Sequence, residues 1–179
     1  MQYNYADISA LAMQNYNRGK YEKALSQADK ALEMKGGFYL AHFIKGMCLD
    51  KLGRNEEAIE DLTKAIENNG KILNPSSLYR IRGVLYLSIS RLDLAEADFR
   101  RAADLDPDSA LPFYYLGLIF EHQCDVRMAV FYLERFLAMI RQDATLGMEG
   151  IEADVMIRLN SLKQKVPPKK ANLRIVRKS

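Results

Sequence analysis

The residues of this chain that could do chemistry are two histidines, two cysteines and several groups of acidic side chains. His42 and His122 are the only histidines among the 179 residues, and they form neither an HExxH motif nor a pair at metal-ligand spacing. General acid–base catalysis needs titratable groups held together in one pocket. The sequence therefore predicts that each histidine is a packing or surface residue.

The cysteines and acidic residues likewise show no catalytic or metal-binding pattern. Cys48 and Cys124 stand alone, with no CxxC motif and no histidine cluster, so we expect neither a zinc site nor a disulfide and predict two buried free thiols. The acidic run at 56–61 is predicted to be solvated on a helix face. No GxxxxGK or GxSxG motif occurs. We predict a protein that is not an enzyme, with no catalytic residue, no metal, no cofactor and no small-molecule substrate.

The spacing of small and aromatic residues indicates the elements that the chain is built from. Between Ser76 and Ser109 such residues stand at unit positions 8, 11, 20, 24, 27 and 32. They are Gly83, Tyr86, Ala95, Phe99, Ala102 and Pro107. A small residue lets one helix approach its partner closely, and a large one fills the gap beside it. The stretch is therefore predicted to be a pair of packed helices.

The same pattern occurs three more times, in Tyr5–Phe38, Tyr39–Ile72 and Ala110–Asp143. Only residues 73–75 interrupt the register. Position 20 is alanine in every unit, at Ala24, Ala58, Ala95 and Ala129. The chain is therefore built from four repeats.

This pattern resembles the tetratricopeptide repeat, a 34-residue helix pair. The resemblance covers Tyr5 to Asp143 and implies an all-α fold, a right-handed α-solenoid of antiparallel helix pairs. Helix A is predicted over about the first fourteen positions of each unit and helix B over about positions 17 to 30. Gly19 and Gly53 mark the turn between them, whereas Ser90 and Cys124 replace glycine in the last two units.

Three features concern the ends of the repeats. Asn74 and Pro75 are predicted to be the N-cap and first residue of a helix. Pro112 is expected in the first turn of the next A helix, where its missing N–H breaks no intrahelical hydrogen bond. Phe136 stands at position 27, where the other repeats have a small residue. The far side of the fourth unit is therefore not built to accept an identical fifth repeat.

Beyond the fourth unit, apolar residues recur at helical spacing. They are Ile151, Val155, Leu159, Leu162 and Val166. We predict that a helix over about 149–166 caps the open end of the stack, above Phe136, because each repeat leaves one apolar face exposed. A single repeat domain would then span 1–166, followed by a tail at 167–179.

Charge is distributed unevenly. Residues 163–179 hold seven basic residues and no acid, and the preceding chain has a net charge of −4. We expect the tail to be a solvated terminus, with docking on another surface or binding of an acidic partner as alternatives. Without stacking aromatic residues it does not favour nucleic acid. No eighteen-residue apolar run and no signal peptide are seen, so we expect a cytoplasmic protein without a membrane span.

The resemblance also implies a concave groove, lined by one face of the A helices, that receives an extended peptide or a partner helix. That face would present Met13, Tyr16, Leu40, Phe43, Met47, Arg80, Val84, Leu111, Tyr114 and Leu118, together with Asp50, Leu87, Glu121 and His122. So many large apolar residues are unusual on a face meant only for water. Of the basic clamp with which some family members hold the acidic tails of heat-shock chaperones, only Arg80 is present.

The resulting hypothesis is a protein–protein interaction module that binds an apolar peptide or helix of a partner, as scaffold or chaperone. Two alternatives stay open. Part of the apolar face could be core between neighbouring repeats, or the chain could be a structural subunit whose groove is filled within a homo- or hetero-oligomer. The sequence names no partner.

Overall fold

The computed structural model describes residues 3–69, 75–142 and 148–165. These residues form nine helices and no strand. The helices are α1 (Tyr5–Asn17), α2 (Tyr21–Met34), α3 (Tyr39–Lys51), α4 (Asn55–Asn68), α5 (Ser76–Ser88), α6 (Leu92–Leu105), α7 (Leu111–His122), α8 (Val126–Gln142) and α9 (Glu149–Lys165). None of the described helices is long and apolar enough to cross a membrane. The chain divides into two compact units, Met1–Leu116 and Gly117–Ser179.

The helix bounds follow the repeat positions. Helices α1, α3 and α5 occupy positions 1 to 13 of their units, and α2, α4 and α6 occupy positions 17 to 30, as predicted. The start of α5 differs by one residue from the prediction, because the helix begins at Ser76 and Pro75 occupies the cap position. Asn74 lies outside the described residues. Pro112 is the second residue of α7, where no intrahelical donor is needed.

The four turns between helices A and B share one backbone conformation. Gly19 and Gly53 have φ of 71° and 75°, and Ser90 and Cys124 have φ of 59° and 61°. In each turn the next residue's N–H donates to a carbonyl five residues back, as Lys20 does to Asn15 at 2.9 Å. This hydrogen bond closes the end of helix A. The turn therefore requires a left-handed backbone conformation at this position, and Ser90 and Cys124 adopt it although they are not glycine.

In the second and third units a glycine at position 8 faces a large residue at position 24, as the spacing predicted. A Cβ atom added to Gly46 would lie 2.9 Å from Cγ of Leu62, and one added to Gly83 would lie 3.0 Å from the ring of Phe99. The alanines at position 20 are completely buried in all four units. The two helices of a pair therefore pack closely at these small residues.

Charged side chains also link facing helices in the first unit. The guanidinium of Arg82 on α5 donates two hydrogen bonds of 2.8 Å to the carboxylate of Asp98 on α6 and a third of 2.9 Å to Thr63 Oγ1 on α4. Burial opposes the charge of Arg82, but the hydrogen bonds and charge of Asp98 outweigh it and raise the pKa of the guanidinium. Arg82 thus joins the second repeat to the third.

In the second unit, α9 packs on α8. Val155, Leu159 and Leu162 of α9 are buried, while Met156 and Ile157 are exposed. Phe136 on α8 is completely buried. The role of α9 as a cap over Phe136 and the single domain over 1–166 stay predictions; Val166 and the tail at 167–179 lie outside the described residues.

Candidate functional site

The ten residues predicted to line the groove are all partly buried and lie on A helices. Helix α1 carries Met13 and Tyr16; α3 carries Leu40, Phe43 and Met47; α5 carries Arg80 and Val84; and α7 carries Leu111, Tyr114 and Leu118. Nine of them belong to the first unit and Leu118 to the second. We call the nine residues of the first unit the A-helix face.

Part of the A-helix face is also core. Met13, Tyr16 and Leu40 pack against a buried cluster between the first two repeats. The cluster consists of Ala12, Ala24, Ala28, Ile44 and Cys48. Phe43 packs against a second cluster that includes Leu62 and Leu85. Burial raises the pKa of the Tyr16 hydroxyl, an effect that Asp50 reinforces and Lys51 opposes. These four residues therefore contribute to the packing of neighbouring repeats, whatever else they bind.

A depression of about 170 Å³ lies at Arg80 and Val84 of the A-helix face. Its lining comes from three A helices: Asp50 of α3, Arg80, Ile81, Val84 and Leu85 of α5, and Tyr115 of α7. Leu85 is only 2% exposed. The structure thus brings two predicted groove residues, Arg80 and Val84, into one depression with the predicted neighbour Asp50.

Ile81 and Tyr115 were not predicted to line the groove. Both stand at position 6 of their units, and no residue at that position is among those predicted to line the groove. Tyr115 stacks on Phe99 with ring centroids 4.7 Å apart and an interplanar angle of 12°. Its ring also meets that of Tyr114 edge-on, with centroids 5.3 Å apart. The depression therefore has an aromatic wall held in place by the core.

Two charged side chains line the depression, and only one of them is paired within the described part of the chain. Arg80 forms no hydrogen bond or ion pair with any residue that the structure describes. Asp50 is paired with the neighbouring Lys51, with Nζ and Oδ2 3.3 Å apart, and a hydrogen bond to Asp50 raises the pKa of that lysine. A partly buried guanidinium without a partner retains hydrogen-bond donors for a ligand. The depression consequently has an apolar wall and one cationic edge available for binding.

The histidines differ from one another. His42 is 7% exposed, with Nδ1 2.7 Å from Asp61 Oδ1 and Nε2 2.8 Å from the carbonyl oxygen of Gly36. The prediction that the acidic run at 56–61 is solvated is wrong for Asp61, which is 6% exposed, because its side chain turns inward to His42. His122 is exposed. No group of three or more histidine, cysteine and acidic residues that could hold a metal ion occurs within the described ranges.

The prediction of two buried thiols is half wrong. Cys48 is completely buried in the cluster between the first two repeats, and burial raises the pKa of its thiol to about 11. Cys124 is exposed because it lies in the left-handed turn that ends α7. Both thiols are free.

Comparison with known families explains the architecture. The family model described as "Tetratricopeptide repeat" matches residues 10–77, 49–110 and 82–138. The chain belongs to the tetratricopeptide repeat family, and the predicted all-α solenoid of antiparallel helix pairs is confirmed. Proteins of this family bind protein partners and are generally non-catalytic scaffolds.

Individual relatives share the repeats over part of their length. Human "Tetratricopeptide repeat protein 13" is 37% identical over 95 residues, which are 52% of this chain and 10% of that protein. "Hsc70-interacting protein 1" of Drosophila melanogaster is 29% identical over 103 residues, 58% of this chain and 26% of that protein. The chain therefore spans about a quarter or less of the length of these relatives.

Among solved structures, the protein titled "YrrB: a TPR protein with an unusual peptide-binding site" superposes with a TM-score of 0.72. The match covers 89% of this chain and 76% of that one, at 18% identity. At this identity the similarity shows a shared fold.

Proposed function

We propose that this protein is an interaction module whose A-helix face binds an apolar peptide or helix of a partner protein, as scaffold or chaperone. The observation that carries the proposal is the depression formed by α3, α5 and α7, with Val84, Leu85 and Tyr115 as its apolar wall and Arg80 at its edge. Its volume of about 170 Å³ suits one large apolar side chain. The partner would insert such a side chain there.

Arg80 gives the bound segment a direction. Its guanidinium has no partner among the described residues, and a carboxylate or backbone carbonyl of the ligand would accept its hydrogen bonds. Asp50 lies in the same lining but is already paired with Lys51. The ligand that fits best therefore has an apolar side chain with an acceptor group on the side facing Arg80.

The expected affinity is modest. Burying a large apolar side chain contributes about 1.5 to 3 kcal/mol, and ordering a flexible ligand costs several kcal/mol. A Kd on the order of micromolar follows for two or three such anchors. Because apolar contacts dominate, the affinity should depend only weakly on salt, whereas binding through the basic tail would weaken steeply as salt rises.

The family supports this reading without naming the partner. YrrB is described as having an unusual peptide-binding site, and the Drosophila relative is named for interaction with Hsc70. A protein partner in the cytoplasm is our proposal for this chain. Met13, Tyr16, Leu40, Phe43, Met47, Leu111, Tyr114 and Leu118 remain predicted contacts of a longer bound segment.

A site-specific photocrosslinker tests the proposal. A photoreactive phenylalanine analogue replaces Val84 in the depression or, as a control, Leu94, an apolar residue of α6 that is 45% exposed outside the A-helix face. After irradiation in the source cell, we expect a protein adduct at Val84 and none at Leu94. The partner segment mapped from the adduct is then synthesised and titrated by fluorescence anisotropy.

Variants and molar mass separate the alternatives. Arg80→Ala and Val84→Asp should each weaken binding of that peptide at least tenfold, whereas Leu94→Asp and deletion of residues 171–179 should leave it unchanged. Loss of binding on removal of the tail alone would transfer the function to the C-terminus. An adduct at Val84 between two copies of this chain, with a dimer mass by light scattering, would instead show that the groove is filled within a homo-oligomer.

A further inference from the structure

A buried histidine ties the first repeat to the second. The imidazole of His42 on α3 lies between the carboxylate of Asp61 on α4 and the carbonyl oxygen of Gly36, in the connection that leaves α2. The distances are 2.7 Å from Nδ1 to Asp61 Oδ1 and 2.8 Å from Nε2 to Gly36 O. Both the ring and the carboxylate are more than nine-tenths buried.

The two ring nitrogens face acceptors only. A carbonyl oxygen has no hydrogen to donate, and an ionised carboxylate has none either. A neutral imidazole has one N–H and one lone pair, so it satisfies one of these two contacts and brings a lone pair against an oxygen in the other. The imidazolium has two N–H groups and satisfies both. We propose that His42 is held as an imidazolium in the folded protein and forms a proton-dependent clamp between the first two repeats.

The charges around His42 are compatible with this state. Lys45, on the same helix, lies 3.9 Å from the other carboxylate oxygen of Asp61 and is itself paired with Asp29 of α2 at 2.7 Å. This arrangement places a cation beside Oδ2 of Asp61 and leaves Oδ1 for the imidazole. The hydrogen bond and charge of Asp29 and the charge of Asp61 raise the pKa of Lys45 against the opposing effect of burial, with a smaller contribution from Glu57.

Charged groups on the remaining neighbours are engaged elsewhere. Lys35, next to Gly36, directs its ammonium to the hydroxyl of Tyr5 at 3.3 Å. Asp7 of α1 accepts from the backbone N–H of Asn4 at 3.2 Å. The four groups in the cluster are therefore two carboxylates, one lysine and the ring of His42, and its charges balance when the ring is protonated.

The clamp occurs only at the junction between the first and second repeats among the four units. Position 4, which His42 occupies in the second unit, is Ile8, Tyr79 and Phe113 in the other three units, and none of these carries a charge at neutral pH. Loss of the proton would therefore loosen the connection between α2 and α3 specifically. Since α3 also carries Phe43 and Met47, the clamp positions residues of the A-helix face, but it does not depend on what that face binds.

The direction of the pH effect follows from proton linkage. Where the folded chain holds the proton and the unfolded chain has released it, stability falls as pH rises. An imidazole in an unfolded chain releases its proton near pH 6.5. We therefore expect the thermal midpoint to fall by about 3 °C or more between pH 6 and pH 8.

Nitrogen NMR of the histidine rings tests the proposal directly. The chain has only two histidines, so ¹⁵N-labelled histidine gives signals from two rings, each with two nitrogens, and exposed His122 is the internal reference. At pH 7 we expect the His42 ring to show two protonated nitrogens that exchange slowly with water. A single protonated nitrogen on His42 at pH 7 would overturn the proposal, and this measurement needs no variant.

Variants then connect the proton to stability. His42→Gln should remove the dependence of the thermal midpoint on pH between 6 and 8, and Asp61→Asn should reduce it, while His122→Gln should retain it. A pH dependence that survives in folded His42→Gln, or that disappears in His122→Gln, would contradict the clamp. If His42→Gln does not fold, the wild-type ring spectrum decides.

Discussion

The ring of Phe99 on α6 lies so close to Gly83 on α5 that a Cβ atom on Gly83 would stand 3.0 Å from two of its carbons. Phe99 is completely buried and stacks on Tyr115 with centroids 4.7 Å apart, so its ring has little room to move. We predict that Gly83→Ala destabilises the protein by about 1 to 3 kcal/mol, the usual cost of overpacking. Urea unfolding followed by circular dichroism measures the change.

Gly150→Ala is the matched control for this prediction. Gly150 lies in α9, and a Cβ atom there would meet nothing within 4 Å. Alanine in a helix is more stable than glycine, so the control should be neutral or stabilising by up to about 1 kcal/mol. Equal effects of the two substitutions would show that close packing at position 8 is not what stabilises the helix pair.

Ser90 gives a prediction of the opposite sign. Its φ of 59° lies in the left-handed region, which costs a residue with a Cβ atom roughly 1 to 2 kcal/mol, whereas glycine loses about 0.5 to 1 kcal/mol of chain entropy. Ser90→Gly should therefore stabilise the protein by up to about 1 kcal/mol, as measured by the urea midpoint. Ser161→Gly, on the exposed side of α9, should instead destabilise by roughly 0.5 kcal/mol. Destabilisation by Ser90→Gly would mean that the serine side chain stabilises the turn.

The sequence predicted the helices better than the polar contacts, and the reason is physical. Alanine at position 20 and glycine at position 8 reflect a constraint that each unit repeats, so their spacing reveals the helix pairs. The contact between His42 and Asp61 joins two residues 19 apart and occurs in one unit. Periodicity contains no information about such a contact, and the acidic run at 56–61 has the pattern of a solvated face.

At the candidate site, too, the sequence predicted the residues that share one helix face but not those placed by contacts between helices. Arg80 and Val84 were assigned to the groove because they share a helix face. Tyr115 was not, because its part in the lining depends on the stacking of its ring on Phe99 of α6. The periodicity of α7 alone does not contain that contact. Predicting that wall requires the packing between helices as well as the face of each one.

The two cysteines should differ sharply in reactivity. Burial raises the pKa of Cys48 to about 11, and the thiolate is the nucleophile, so Cys48 should be inert at pH 8 while exposed Cys124 reacts. A chromogenic disulfide reagent should titrate one thiol in the native protein and two in denaturant. Two fast thiols in the native state would show that the cluster between the first two repeats opens readily.

The same shift has a consequence for stability. Because the folded state disfavours the Cys48 thiolate, the stability associated with this burial is complete below pH 9 and declines as pH rises from 9 towards 11. Cys48→Ala should flatten that decline, measured as the urea midpoint at pH 8 and pH 10. Cys124→Ala is the control, and it should leave the decline in place.

The last prediction concerns what holds α9 in the second unit. Three ion pairs join it to neighbouring helices, with Arg158 to Glu121 at 3.0 Å, Glu152 to Arg141 at 2.7 Å and Lys163 to Glu134 at 2.6 Å. Their side chains are between 30% and 53% exposed. Such exposed pairs contribute about 0 to 1 kcal/mol each, and less in high salt.

Apolar packing should dominate instead. Val155 is completely buried, and burying a valine side chain contributes about 1.5 to 3 kcal/mol. We therefore expect Val155→Ala to lower the stability of the second unit by more than Arg158→Ala does, and by an amount that 1 M salt does not change. If α9 is the predicted cap, deletion of residues 150–179 should expose apolar surface and cause aggregation, whereas deletion of 171–179 should not. Light scattering and binding of a hydrophobic dye measure the difference. If the 1–149 chain is soluble and equally stable, α9 does not shield an apolar surface of the fourth repeat and is not a cap.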